Sequence, residues 1–281
     1  MPLMLLRASQ PVSSMRSSDQ ATPGGGWSPI VELRQYTLRP GRRDVLVDLF
    51  DSKLVEPQEQ AGMKVIGQFR DLDDPDKFVW LRGFRGMTER AESLARFYGG
   101  PVWQANRAAA NATMVDSDDV LLLRPARPDS AFTPSGDRPW RKAAAGNVRG
   151  FVEVTLLHLN APAEETEIVS FFEHNVAASA RESGGSILAY FVTEASKNMF
   201  PSLPVREGEQ VFVWFVGFHD RARLERSSEQ SVDSTRITAQ HLRRPPQVLR
   251  LVPTSRSLLH GRSPSCRVAA DSPSTSKEDM Q

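Results

Sequence analysis

Apolar and polar residues alternate from Val31 to Leu38, the period of a strand with two different faces. Pro40 and Gly41 break the pattern. Val45, Leu46, Leu49, Phe50 and Leu54 then recur at helical spacing with charges between them, and Pro57 and Gly62 are placed to end or kink that helix. Residues 64–72 and 77–84 read as two strands joined by the turn-forming run Asp73-Asp74-Pro75-Asp76. Thr88 is the expected N-cap of the next helix, with Ala91, Leu94 and Ala95 on one face. A further helical stretch covers 102–112, and 120–124 is a fourth strand. The order is β-α-β-β-α-β.

The second half repeats this order. Strands are expected at 150–159, 186–194, 210–218 and 248–252, with helices over 163–183 and roughly 221–243. The third strand of each half is nearly the same peptide. Phe78-Val79-Trp80-Leu81-Arg82-Gly83-Phe84 returns as Phe212-Val213-Trp214-Phe215-Val216-Gly217-Phe218. An internal repeat of this kind bounds the architecture before any residue is given a role.

Each half therefore reads as a split βαβ, or ferredoxin-like, unit. The fold class is α+β: two tandem ferredoxin-like (βαββαβ) units forming a dimeric α+β barrel. The third strands are apolar on both sides, so both sides need cover. Helices cover one side, and sheet against sheet covers the other, within one chain or across a homodimer. The expected division is a leader over 1–28, unit 1 over 29–126, a linker over 127–147, unit 2 over 148–256 and a disordered tail over 257–281. The two ends and the linker are marked by Ser, Pro and Gly content.

Composition narrows the function classes. The formal net charge is +1, so no global field favours nucleic acid, and none is expected as a partner. No run approaches the roughly 20 apolar residues of a membrane span. Cys266 is the single cysteine, which excludes an intrachain disulfide and favours a reducing compartment. A cytoplasmic location is expected, or a mitochondrial one if the basic leader is a presequence. The five histidines make no metal-ligand spacing, and no metal or cofactor is expected. His158 is a lone strand histidine that can face the barrel.

Three runs carry a family resemblance. They are Val31-Glu32-Leu33-Arg34-Gln35-Tyr36-Thr37-Leu38 with Pro40-Gly41, then Phe97-Tyr98-Gly99-Gly100-Pro101-Val102-Trp103, and Asn111-Ala112-Thr113-Met114 followed by Asp116-Ser117-Asp118. They resemble the NIPSNAP family of the dimeric α+β barrel superfamily. The resemblance covers about residues 29–260. It is carried by motifs in the first half and by the strand pattern in the second. It implies a fold and no agreed reaction.

The halves differ where function would sit. Glu32, Arg34 and Tyr36 share a face of the first strand, whereas the second half has Glu153, Thr155 and Leu157. Arg82 beside Trp80 becomes Val216, and Gln68 and Arg70 become Tyr190 and Val192. Glu32, Arg34, Tyr36, Gln68, Arg70, Trp80 and Arg82 are expected on the barrel-facing side. There the arginines can hold a small carboxylate or an oxygenated ring by bidentate hydrogen bonds, with aromatic contact. Trp103 and Arg107, on one helix, are expected to line the mouth. The same residues can instead satisfy one another as buried ion pairs. The leading expectation is a protein without catalysis that binds a small hydrophobic or anionic molecule or a protein partner. A cofactor-independent monooxygenase-like enzyme and a ligand-free scaffold are the alternatives.

Overall fold

A computed structural model describes residues 28–133, 138, 150–160, 165–227 and 242–261. The expected leader up to residue 27, most of the expected linker, most of the helix expected after residue 221 and the expected tail from residue 262 lie outside the described residues. The first half contains β1 (Ile30–Leu38), α1 (Arg43–Leu49), α2 (Val55–Gln60), β2 (Lys64–Asp71), β3 (Lys77–Phe84), α3 (Met87–Tyr98), α4 (Pro101–Asn111) and β4 (Met114–Pro125). The second contains β5 (Phe151–His158), α5 (Glu165–Phe171), α6 (Ala177–Glu182), β6 (Ser186–Thr193), β7 (Val211–Phe218) and β8 (Gln247–Pro253). The strands close into one eight-stranded barrel in the order β1-β3-β2-β8-β5-β7-β6-β4, every pairing antiparallel. The fold is mixed α/β. The barrel closes within one chain, so its sheet needs no second copy.

Two details of the helices differ from the pattern. A π-helical turn, Phe50–Leu54, separates α1 from α2, and another, Phe172–Val176, separates α5 from α6. Pro57 falls in the first turn after the π segment, and the helix runs through it to Gln60 and stops short of Gly62, which has a φ of 102°. Gly86, not Thr88, precedes α3 as its N-cap, and no side-chain cap is made.

The barrel interior is filled by aliphatic and aromatic side chains. Val31, Leu33, Val79, Leu81, Leu121, Leu123, Val152, Val154, Val213 and Phe215 belong to one buried cluster drawn from the strands. Phe132 completes it against Phe191 and Phe215. The outer side of the first half packs Tyr36, Phe78, Trp80 and Phe84 against Leu46, Phe50, Leu54, Leu94 and Phe97 of the helices. The second half does the same with Phe212, Trp214 and Val216 against Ile168 and Phe172. A bulge in β2 between Val65 and Gly67 turns Ile66 and Phe69 inward and leaves Gln68 outward.

This corrects the expected orientation of the polar residues. Glu32, Arg34, Tyr36, Trp80 and Arg82 face the helices, not the barrel lumen. β3 is apolar on both sides, so alternation fixes which residues share a face but not which face turns inward. A lumen already filled by aliphatic side chains would give guanidinium groups few partners, whereas the helix side supplies polar ones.

The repeated glycine of the two third strands has a packing reason. A Cβ at Gly83 would lie 2.1 Å from Ser28 Oγ, and one at Gly217 would lie 2.9 Å from the Gly261 carbonyl oxygen. Both glycines point inward, where the chain enters and leaves the barrel. Residues 257–261, assigned to the tail from composition, instead close this end: Leu258 and Leu259 are buried, and their N–H groups donate to the Ile66 carbonyl. Gly217→Ala meets rigid backbone, so it is expected to lower stability by about 1–3 kcal/mol in urea titration.

Candidate functional site

Glu32 sits near the start of β1, opposite Arg82 on β3. Its carboxylate is shared by three arginines. Arg82 Nε donates to Oε2 at 2.6 Å, Arg34 Nη1 to Oε2 at 2.8 Å and Arg90 Nε to Oε1 at 2.6 Å. All four side chains are 0% exposed. Arg90 comes from α3, where Arg90, Leu94 and Phe97 fall on the buried face. Each arginine is then tied further. Arg34 Nε donates to Tyr36 Oη at 3.0 Å, and Arg82 Nη1 to Gln58 Oε1 at 3.2 Å and Tyr98 Oη at 3.4 Å. Arg90 Nη1 donates to Asn198 Oδ1 at 2.9 Å.

Aromatic faces surround these cations. The Arg82 guanidinium carbon lies 5.0 Å from the Trp80 ring centre and 5.8 Å from that of Tyr98, and Arg34 lies 5.5 Å from Trp80. Such faces stabilise a desolvated cation by roughly 1–2 kcal/mol each. They carry no formal charge, however. Tyr36 stays neutral, because burial pushes its hydroxyl further above its ordinary value. The cluster therefore holds one carboxylate against three guanidinium groups.

Burial alone would raise the Glu32 carboxyl, but Arg82, Arg34 and Arg90 outweigh it and hold the group far below the usual carboxylate range. Burial depresses Arg90, with Glu32 opposing. Three donors in the same cluster, Arg82 Nη2, Arg90 Nη2 and Trp80 Nε1, have no hydrogen-bond partner among the described residues. A buried donor without an acceptor ordinarily costs about 1–3 kcal/mol, more when it is charged. The arrangement is a positively charged, donor-rich, aromatic-walled centre.

The other candidates stand apart from it. Gln68 belongs to a neighbouring set, where its Nε2 donates to Asp51 Oδ1 at 3.4 Å. Thr254 Oγ1 donates to the same Asp51 oxygen at 3.3 Å, and Arg256 Nη1 to the Asp51 carbonyl at 2.8 Å. Arg70 pairs with the exposed Asp44 at 3.0 Å. Trp103 is half-buried against Phe97 and Tyr98, their ring centres 5.8 Å and 5.0 Å away. Arg107 is exposed. His158 closes one end of the barrel, with Nδ1 2.7 Å from Glu209 Oε2 and Arg244 Nη2 2.7 Å from Nε2. Burial, followed by Arg244, lowers its affinity for a proton. Among the described residues no group of three or more His, Cys, Asp or Glu side chains could hold a metal ion, and no helix is long and apolar enough to cross a membrane.

Arg90, Gln58, Asn198 and Asp51 were not singled out by sequence, and Tyr98 stood out only within the family-like run 97–103. Arg90 had a usable signal, since it lies four residues before Leu94 and seven before Phe97 on a core-facing stripe. Asn198 had none, because its place depends on packing between the halves.

Two substitutions test these environments. Glu32→Gln leaves three buried arginines without a counter-charge and is expected to cost about 3–5 kcal/mol in denaturant unfolding. Asp51 behaves differently. Burial pushes its carboxyl from an ordinary 3.8 to about 6, against the hydrogen bond from Thr254 and the charge of Arg256. A raised carboxyl contributes its stability below the unfolded value and loses it as pH climbs through the folded one. Asp51→Asn is therefore expected to gain on the wild type between pH 4 and pH 7, by on the order of 2 kcal/mol, in parallel melts.

The chain matches the NIPSNAP family model over residues 31–128. No curated protein matches it. Among solved structures, an uncharacterised NIPSNAP-like domain protein from Burkholderia xenovorans is 26% identical over 41% of this chain and 96% of its own, with a TM-score of 0.33. A NIPSNAP family protein of unknown function from Agrobacterium tumefaciens is 22% identical over 36% of this chain and 90% of its own, at 0.34. A candidate monooxygenase from Lactobacillus acidophilus is 13% identical over 80% of this chain and 94% of its own, at 0.49.

Proposed function

Taking the NIPSNAP domain of residues 31–128 as the premise, we propose that this protein binds a small anion at the Glu32 cluster and does no chemistry on it. The barrel is then two ferredoxin-like units, over 29–126 and 148–256, of which only the first carries the site. The observation that supports this reading is the excess of buried positive charge together with open donors. Glu32 neutralises one arginine of three, while Arg82 Nη2, Arg90 Nη2 and Trp80 Nε1 lack acceptors among the described residues. Removing an ion from water costs several kcal/mol unless an opposite charge replaces the lost hydration. A carboxylate or phosphate oxygen would accept from these donors and offset the excess charge.

The aromatic walls favour a flat carboxylate such as benzoate over a heavily hydrated ion. The enzyme alternative has less support. A general base needs a proton affinity near the working pH, and three arginines hold Glu32 far from that range.

Titration calorimetry with benzoate and with inorganic phosphate tests the reading. The wild type is expected to bind at least one of them. Arg82→Ala should weaken that binding about tenfold to a hundredfold, as loss of charge-assisted hydrogen bonds implies. Trp80→Phe keeps an aromatic face, smaller than the indole, and removes the Nε1 donor, so it reports separately if Arg82→Ala fails to fold. No binding by the folded wild type would leave the cluster as a structural scaffold.

A further inference from the structure

The Glu32 cluster lies on the first half, yet one of its closing contacts comes from the second. The β6–β7 connection, residues 194–210, is far longer than the β2–β3 turn at 72–76, its counterpart in the repeat. It crosses to the first half. Its ends are pinned to β4: Glu194 N–H donates to the Leu122 carbonyl and Arg206 N–H to the Val120 carbonyl, both at 2.8 Å. Arg206 adds an ion pair to Asp119 at 3.0 Å and another to Glu209 at 3.0 Å. These contacts make a fixed base.

The middle of the segment is held differently. Asn198 Oδ1 accepts from Arg90 Nη1 at 2.9 Å and from the Phe200 N–H at 3.1 Å. Its Nδ2 donates to the Leu203 carbonyl at 3.0 Å, and its own N–H donates to Glu207 Oε1 at 2.6 Å. Phe200 stacks on Tyr98 with ring centres 6.2 Å apart, and Leu203 packs beside it. The neighbouring Met199 is 53% exposed. The segment therefore folds around Asn198, which hydrogen-bonds to the cluster through Arg90. At the far end Gly208 has a φ of 78° and open space about its Cα, so a change of direction there meets little resistance.

Resting on the anion-site reading above, we infer that residues 195–209 are the lid of the site and that Asn198 is its latch. With the lid down, Arg34, Arg82 and Arg90 have no exposed surface, so an anion cannot enter or leave without movement of some covering segment. The lid is the cover with firm ends and a weakly tethered middle. Lifting its middle breaks the Asn198–Arg90 hydrogen bond and the packing of Phe200 and Leu203, and uncovers Arg90 and Tyr98 together. Both are groups that hold or flank the open donors. Asn198 is a positioning residue: as a neutral acceptor it orders Arg90 without cancelling its charge. An aspartate there would supply the missing anion from the chain itself and shut the site.

Hydrogen–deuterium exchange of the full chain tests the lid, with and without benzoate and inorganic phosphate. Amides of 196–205 are expected to exchange at least about tenfold faster than those of β6 and β7, and to slow when a bound anion fixes Arg90. Asn198→Ala should speed exchange of 196–205 by a further several-fold while β1 and β3 stay protected. Asn198→Asp should abolish the response to anions. The lid is overturned if 196–205 is as protected as its flanking strands, or if Asn198→Ala leaves its exchange unchanged. An opening lid that responds to Asn198→Ala but to neither anion would uphold the lid and overturn the anion site.

Discussion

The outer side of the first half is organised around one carboxylate. Glu32 sits on β1 and takes hydrogen bonds from arginines on β1, β3 and α3. Those contacts fix how α3 lies on the sheet and, through Arg90, how a segment of the second half lies on the first. Ions of one sign in excess are hard to keep out of water. The cluster is tolerable because aromatic faces, the Gln58 amide and the Tyr36 and Tyr98 hydroxyls supply partial negative charge, and because each guanidinium is held in a fixed orientation. Preorganised donors of this sort bind an anion without rearranging themselves.

The likeness of the two halves makes their differences informative. Both halves keep the glutamate on the first strand, the tryptophan on the third and a π-helical turn in the first helical segment. Only the first half adds Arg34, Tyr36 and Arg82, where the second has Thr155, Leu157 and Val216. The long connection belongs only to the second half, and it covers the polar half rather than its own. Charge on one side and cover from the other are complementary differences between the two halves. The lumen, by contrast, is filled in the same way from both halves and offers no comparable chemistry among the described residues.

Much of the fold was legible because periodicity and turn residues are local. The strands at 31–38, 64–72, 77–84 and 210–218 fall where alternation, apolar runs and turn residues put them, and the two similar Phe-Val-Trp peptides are β3 and β7. What sequence could not supply was the sense of inside and outside. A strand apolar on both faces has a parity but no direction, and the polar set was accordingly assigned to the lumen when it faces the helices. The grouping of Glu32, Arg34, Tyr36, Trp80 and Arg82 survives that inversion, since parity is preserved. Arg70 and Arg107 do not join the group: one lies toward the rim with Asp44, and the other on an exposed helix face. Arg90 and Asn198 enter through packing of a helix and a loop onto the sheet, which no spacing rule within one strand anticipates.

The most direct test is a high-resolution crystal structure of protein purified in a buffer of large organic cations with benzoate as the added anion. The account predicts electron density for a carboxylate whose oxygens lie within hydrogen-bond distance of Arg82 Nη2 and Arg90 Nη2. Water alone at those donors, with the arginines in the same positions, would contradict it and leave the cluster as a structural core.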